Sequence, residues 1–270
     1  MSGVWQNRRE QLRELYDGYF SSHEYGQRYP RPNPGTLRFL LRHGAGGAAR
    51  VLDLGCGNGR YALALVEAGA QELLGCDISQ AALAEFAQRL QGHPAQARVR
   101  LLAGGAEALP PNERFDCLLM LFGVLSHIGP RQLRLDTLRQ LRAVATPGAR
   151  LLLSVPSLWR RRPLELLRSL AHGQREQLGD IEFQRRICRR DQTLAYHLYT
   201  AAGLRHDLRD AGWTVQAMEA ESLVPEWLLT QHPAIGRFDA ALQPWLPAAL
   251  GYGIRAVARP TVARSDLPCG

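Results

Sequence analysis

The 270-residue chain predicts an α/β fold, a three-layer sandwich on a seven-stranded, mostly parallel sheet with an antiparallel edge strand. Three observations predict it. From Arg50 to about Pro156, short β-rich runs alternate with helical patterns, which is how a doubly wound parallel sheet reads. The first run passes straight into a glycine-rich turn and a helix. After about Tyr199 the chain offers a helix and two more strand-like runs, enough to finish the sheet with an antiparallel pair.

Taken in order, strands are expected at residues 50–54, 72–77, 98–102, 115–121 and 150–155, the last entered through the turn pair Pro147-Gly148. Ser79 is a good N-cap for a helix whose Leu83, Phe86, Ala87 and Leu90 recur at i, i+3, i+4, i+7, the stripe that faces a core. Residues 199–211 read as a helix stopped by Gly212, with strand-like runs at 213–218 and 252–258. Three segments stand outside the alternation. Residues 1–45 form an aromatic-rich, helical N-terminal segment, within which 28–38 is short on helix signals until Pro34 and helical from there. The main domain, 46–258, carries insertions at 157–196 and 222–250, and 259–270 reads as a loose tail.

Composition narrows the functional classes. The five cysteines, Cys56, Cys76, Cys117, Cys188 and Cys269, include no CxxC pair, so neither a disulfide framework nor a metal site is expected. The polar start has no signal-like apolar run, and the longest apolar stretch, 117–125, is too short to span a bilayer. A cytoplasmic protein without a membrane span is the expectation. The formal charge is +8 and every basic residue is arginine, so an acidic or nucleic-acid partner is one reading and coding bias another.

The chemistry concentrates in Val51-Leu-Asp-Leu-Gly-Cys-Gly-Asn-Gly-Arg60. Gly55, Gly57 and Gly59 let the backbone turn tightly and approach a ligand, and the N–H groups at the helix start face it. Cys56 and Asn58 belong to the same loop. The G-x-G-x-G spacing differs from the G-x-G-x-x-G of dinucleotide enzymes, and Asp53 at the loop mouth would repel a pyrophosphate but suit a cation. A nicotinamide dehydrogenase is therefore disfavoured. The next strand ends in Asp77, whose carboxylate can accept from both ribose hydroxyls of a nucleoside, and Ile78 follows to pack on the base.

VLDLGCGNGR followed by LLGCDIS resembles the first two motifs of the class I S-adenosylmethionine-dependent methyltransferases, whose fold is Rossmann-like. The resemblance covers roughly residues 48–156 well. It implies S-adenosylmethionine as cofactor, with Asp53, Gly55, Gly57 and Gly59 around its methionine part, Asp77 on the ribose and Ile78 on the adenine. Where the family usually has an acid contacting the adenine amino group this chain has Gly105, leaving the backbone of Ala106 or the side chain of Glu107 for that contact. The segment 115–128 resembles the family's fourth motif, which puts Leu121 beneath the cofactor. His127 is the candidate general base, because imidazole titrates near neutral pH; a structural histidine is the alternative. Arg31, in Arg-x-Asn-Pro, resembles an arginine of ubiquinone-biosynthesis O-methyltransferases that holds the cofactor carboxylate. A solvated arginine is the other reading. Tyr16, Tyr19, Phe20, Tyr25 and Tyr29 would form a lid, or simply pack.

The expected reaction is methyl transfer to an O, N or C atom of a small metabolite, an acidic one being one reading. The arginines at 160–162 and 185–190 would rim the acceptor site, or lie on a solvated face. Two alternatives stand beside it. GCGNGRY, GCDIS and Tyr196-His-Leu-Tyr199 also resemble tRNA wobble-uridine methyltransferases, which would make RNA the partner; and the domain would serve a partner protein if it bound the cofactor without turnover.

Overall fold

Strand β1 (Arg50–Leu54) is buried from Val51 to Leu54 because it lies inside the sheet, flanked on both sides by parallel strands. Those neighbours are β2 (Glu72–Asp77) and β4 (Phe115–Met120); β3 (Val99–Ala103) pairs with β2 and β5 (Ala145–Pro156) with β4, all in parallel. Residues 3–161, 179–187 and 190–261 are described by this computed structural model. The order reverses at β1 and β4, so the carboxyl ends of these two strands open a crevice, the usual place for a ligand in an open α/β sheet.

A short antiparallel ribbon, β6 (Asp180–Ile187) with β7 (Arg190–His197), stands outside the main sheet, and β8 (Trp213–Ala220) and β9 (Gly253–Pro260) complete it. The full order is β3-β2-β1-β4-β5-β9-β8, seven strands, with β9 antiparallel to both β5 and β8. The sheet thus closes with the antiparallel pair at one edge that its sequence predicts.

Ahead of the sheet come helices α1 (Gly3–Ser21), α2 (Glu24–Arg28) and α3 (Pro34–Arg42). Helices α4 (Arg60–Glu67) and α5 (Gln80–Leu90) follow β1 and β2; α6 (Val124–His127) and α7 (Arg131–Ala143) follow β4. Then α8 (Leu158–Arg161) leaves β5, α9 (Ala201–Asp210) precedes β8, and α10 (Glu226–Gln231) and α11 (Pro233–Leu242) join β8 to β9. Two cores result, one on each face. Phe39, Leu40, Leu65 and Phe86 of α3, α4 and α5 bury against Val51, Leu73, Leu119 and Leu152. On the other face Leu138, Leu141, Leu204 and Leu208 of α7 and α9 bury against Leu52, Leu118, Leu151 and Trp213, whose indole N–H donates to the Leu138 carbonyl at 2.9 Å.

Local signals place the helix starts. The Ser79 hydroxyl accepts from Ala82 N–H at 3.1 Å, capping α5 as expected. Asn33 caps α3 through Gly35 N–H at 2.9 Å while Pro34 fills the first helical position, where no donor is needed. Strand β9 runs on to Pro260, past the expected end of its run. Of the arginine clusters, Arg160 is exposed and donates to the Leu223 carbonyl; the side chains of Arg161, Arg162 and residues 185–190 lie outside the described residues, as do residues 262–270.

Candidate active site

The loop between β1 and α4 needs its glycines. Gly55, Gly57 and Gly59 all hold positive φ, at 81°, 55° and 74°, a region costly to residues with a Cβ. A methyl on Gly59 would also drive into the Phe86 ring, and one on Gly55 into Val124. Gly59→Ala is expected to cost about 2–4 kcal/mol, from αL strain plus overpacking against Phe86, measurable by chemical denaturation. Cys56 is buried, its thiol raised by desolvation and by the nearby Asp77, so the loop uses it for packing. Asn58 ties the loop to α5: its Nδ2 donates to Glu85 at 2.7 Å and its carbonyl accepts from Arg89 at 2.7 Å.

Asp77 ends β2 directly beside this loop. Its Oδ2 accepts from Gly57 N–H at 2.8 Å and its Oδ1 from Ser79 N–H at 2.9 Å. Burial raises its pKa, and the two backbone donors oppose that rise. Asp53, only 3% exposed, is pushed up to about 7 by burial and by the charge of Asp77. Two carboxylates that repel one another, one buried and one half-buried, leave this corner short of positive charge. A cation placed here would be stabilised; a phosphate would not.

The N-terminal segment lies over this corner. Asp17 of α1 accepts from the Ser79 hydroxyl at 2.7 Å and from Ala81 N–H at 3.0 Å, adding a carboxylate to the start of α5, where the helix dipole favours one. Phe20 packs against Gly57. Tyr19, Phe20, Tyr25 and Tyr29 form one buried aromatic cluster with Ala82, in contact with Phe122 at the end of β4. Arg9 pairs with Glu107, and the Glu107 carboxylate also accepts from Gly105 N–H at 3.0 Å. Burial would raise the Glu107 pKa, but bonds from its own backbone N–H, Arg9 and Gly105 hold it below the ordinary value.

At the far side of the loop, the Tyr16 hydroxyl lies 3.0 Å from His127 Nε2, and the Tyr196 ring stacks obliquely on the imidazole at 4.5 Å. Three segments distant in sequence, α1, α6 and β7, meet at this histidine. Leu121 and Ala106 are buried, and Ile78 is half-buried beside Asp77. Phe122 takes φ 59°, an uncommon value for a bulky residue, and its N–H donates to Ser154 Oγ at 2.8 Å, which holds the strained turn in place.

Arg31 is placed apart from the others. Its side chain is exposed, and only its backbone carbonyl reaches inward, accepting from Arg60 at 3.2 Å. Arg60, which the sequence reading passed over, is the buried cation at the loop. It is 4% exposed, sits among Tyr29, Tyr61 and Phe122, and bonds Glu226 of α10 at 2.8 Å. Tyr61 donates to the same carboxylate at 3.1 Å and accepts from Asn33 N–H at 3.2 Å. This network fastens the N-terminal segment and α10 to the glycine loop. The sequence signal was slight: a lone arginine opening an otherwise apolar helix turn.

A cleft at the amino ends of the strands, lined by Arg50, Glu72, Arg98, Arg100 and Phe115, lies at the opposite end of β1, with Arg50 and Arg100 paired to Glu113. It is remote from the glycine loop. Among the described residues no His, Cys, Asp and Glu cluster could hold a metal ion, and no helix is long and apolar enough to cross a membrane.

Residues 51–148 match the family model of a methyltransferase domain. A tRNA U34 carboxymethyltransferase of Pseudoalteromonas translucida is 39% identical over 103 residues, 38% of this chain but only 30% of that relative. Among solved structures, the CcbJ methyltransferase of Streptomyces caelestis superposes with a TM-score of 0.61 at 17% identity, covering 86% of this chain and 91% of its own. An S-adenosylmethionine-dependent methyltransferase of Clostridium acetobutylicum ATCC 824 gives 0.60 at 12% identity, covering 86% and 93%. Residues 51–148 thus match a methyltransferase domain, and the seven-stranded sheet that carries the glycine loop and the strand-end acid has the Rossmann-like fold of these solved methyltransferases.

Proposed function

We propose that the chain transfers the methyl group of S-adenosylmethionine to an O, N or C atom of a small metabolite. One observation carries the donor assignment: Asp77 and the Gly57 N–H meet at 2.8 Å where a ribose would lie, while the buried Asp53 favours a cation nearby. The donor has a sulfonium and an amino group and no phosphate, which suits that charge pattern. The donor supplies a good leaving group, so the residues here mainly hold the partners in line and exclude water. The aromatic cluster of α1 and α2 serves the second purpose.

His127 is assigned as general base for an O–H or N–H acceptor. Its Nε2 would take the acceptor proton through the Tyr16 hydroxyl 3.0 Å away, which can donate to the ring as it accepts from the substrate. His127→Asn is expected to lower kcat by about a hundredfold or more while leaving cofactor affinity within about threefold. An undiminished kcat would assign the histidine to packing against Tyr16 and Tyr196. The acceptor class is tested by incubating the protein with labelled donor and fractionated small metabolites or RNA, and following the label.

A second reading has its own support. The similarity to a tRNA U34 carboxymethyltransferase over 103 residues, together with the +8 charge, favours an RNA acceptor. Label appearing in tRNA, with binding that falls steeply as salt rises, would select it over a metabolite. Cofactor binding with no label transferred to either fraction would point instead to a non-catalytic partner subunit. A cytoplasmic setting fits every one of these readings.

A further inference from the structure

We propose that the segment joining β8 to β9 docks the protein onto an anionic membrane surface. Eight large apolar side chains are exposed among the described residues, and six of them, Trp227, Ile235, Phe238, Leu242, Trp245 and Leu250, belong to this one connection. Trp245 is 86% exposed and Phe238 67%. Ile235, Phe238 and Leu242 recur at the spacing of one helix face along α11, whose other face buries Gly236, Asp239 and Ala240. An apolar stripe of this kind marks an interaction surface.

The inner face is bolted down, so the outer one cannot turn inward. Asp239 accepts from Leu223 N–H at 2.7 Å, Arg38 of α3 donates to the Ala240 carbonyl at 3.0 Å, and Gln243 bonds the buried Arg255. Exposure of the aromatic side chains is therefore fixed by the fold.

Charge selects the occupant. Arg237 lies on the exposed part of α11 and the exposed Arg38 flanks it, whereas the one carboxylate between Trp227 and Leu250, Asp239, is buried. A twofold pairing of two copies through this face would bring these arginines together with no acid between them, on chains that each carry +8. A lipid surface has no such conflict. Its headgroup layer accepts Trp and Phe, and anionic phosphates attract the arginines.

The test is co-sedimentation of the full chain with vesicles of phosphatidylethanolamine and phosphatidylglycerol, and separately of phosphatidylcholine alone. The protein should pellet with the anionic vesicles and much less with the neutral ones. Phe238→Ser and Trp245→Ser should each weaken partitioning by about tenfold, with the unfolding temperature unchanged because both side chains are exposed. Arg38→Gln combined with Arg237→Gln should abolish the preference for anionic lipid. Failure to pellet, or pelleting untouched by the serine substitutions, would overturn the proposal. So would a concentration-dependent dimer in sedimentation velocity that the same substitutions dissolve, since the face would then pair two copies.

Discussion

Asp77→Ala should lower affinity for S-adenosylmethionine by about a hundredfold or more, read by titration calorimetry. Two effects add. The alanine removes the charged acceptor for the ribose hydroxyls, and it releases the Gly57 and Ser79 N–H groups that the carboxylate holds at 2.8 and 2.9 Å, so the loop loses its tie to β2 as well. Asp77→Asn separates them. Its amide keeps one oxygen for a backbone N–H but faces the other with a donor, and it should fall in between, about tenfold weaker than the natural chain. S-adenosylhomocysteine, with the same ribose, should lose affinity in parallel. Equal binding by all three proteins would place the nucleoside elsewhere and remove the basis for the donor assignment.

What the sequence discloses about this corner is what lies close along the chain. Gly55, Gly57, Gly59 and Asp77 sit at the ends of adjacent strands, so the turn and the strand-end acid are readable as a pair, and Ser79 and Asn33 announce their helices through local capping. The partners that close the site come from far off. Asp17 on Ser79, Tyr16 on His127 and Glu226 on Arg60 are each brought together by packing of α1 or α10, and no spacing rule encodes such meetings. The β6–β7 ribbon escaped notice for another reason. Its strands read DIEFQRRI and RDQTLAYH, charged and polar with few apolar residues, because a two-stranded ribbon outside the main sheet does not need the hydrophobic run of a buried strand.

Asp53→Asn is the second large expectation, and it has opposite signs in the free and bound protein. Burial and the neighbouring Asp77 push the Asp53 carboxyl up to about 7, so the folded chain holds a proton that the unfolded chain has already released at lower pH. The stability this contributes is complete below the ordinary carboxylate range, near pH 4, and is lost as pH rises through 7. The asparagine cannot ionise. The free variant should therefore gain about 1–3 kcal/mol over the natural protein at pH 8, less at pH 5 and almost nothing below about pH 4, measured by urea denaturation across that range. Cofactor binding should move the other way, weakening by about tenfold or more at pH 8, because the charge that repels Asp77 is also what favours the sulfonium and ammonium of the donor. In the natural protein the same logic makes affinity fall as pH drops below 7 and Asp53 takes up its proton. A variant that binds S-adenosylmethionine as tightly as its parent, with no gain in stability at pH 8, would show that this carboxylate neither strains the empty site nor faces the donor's charge.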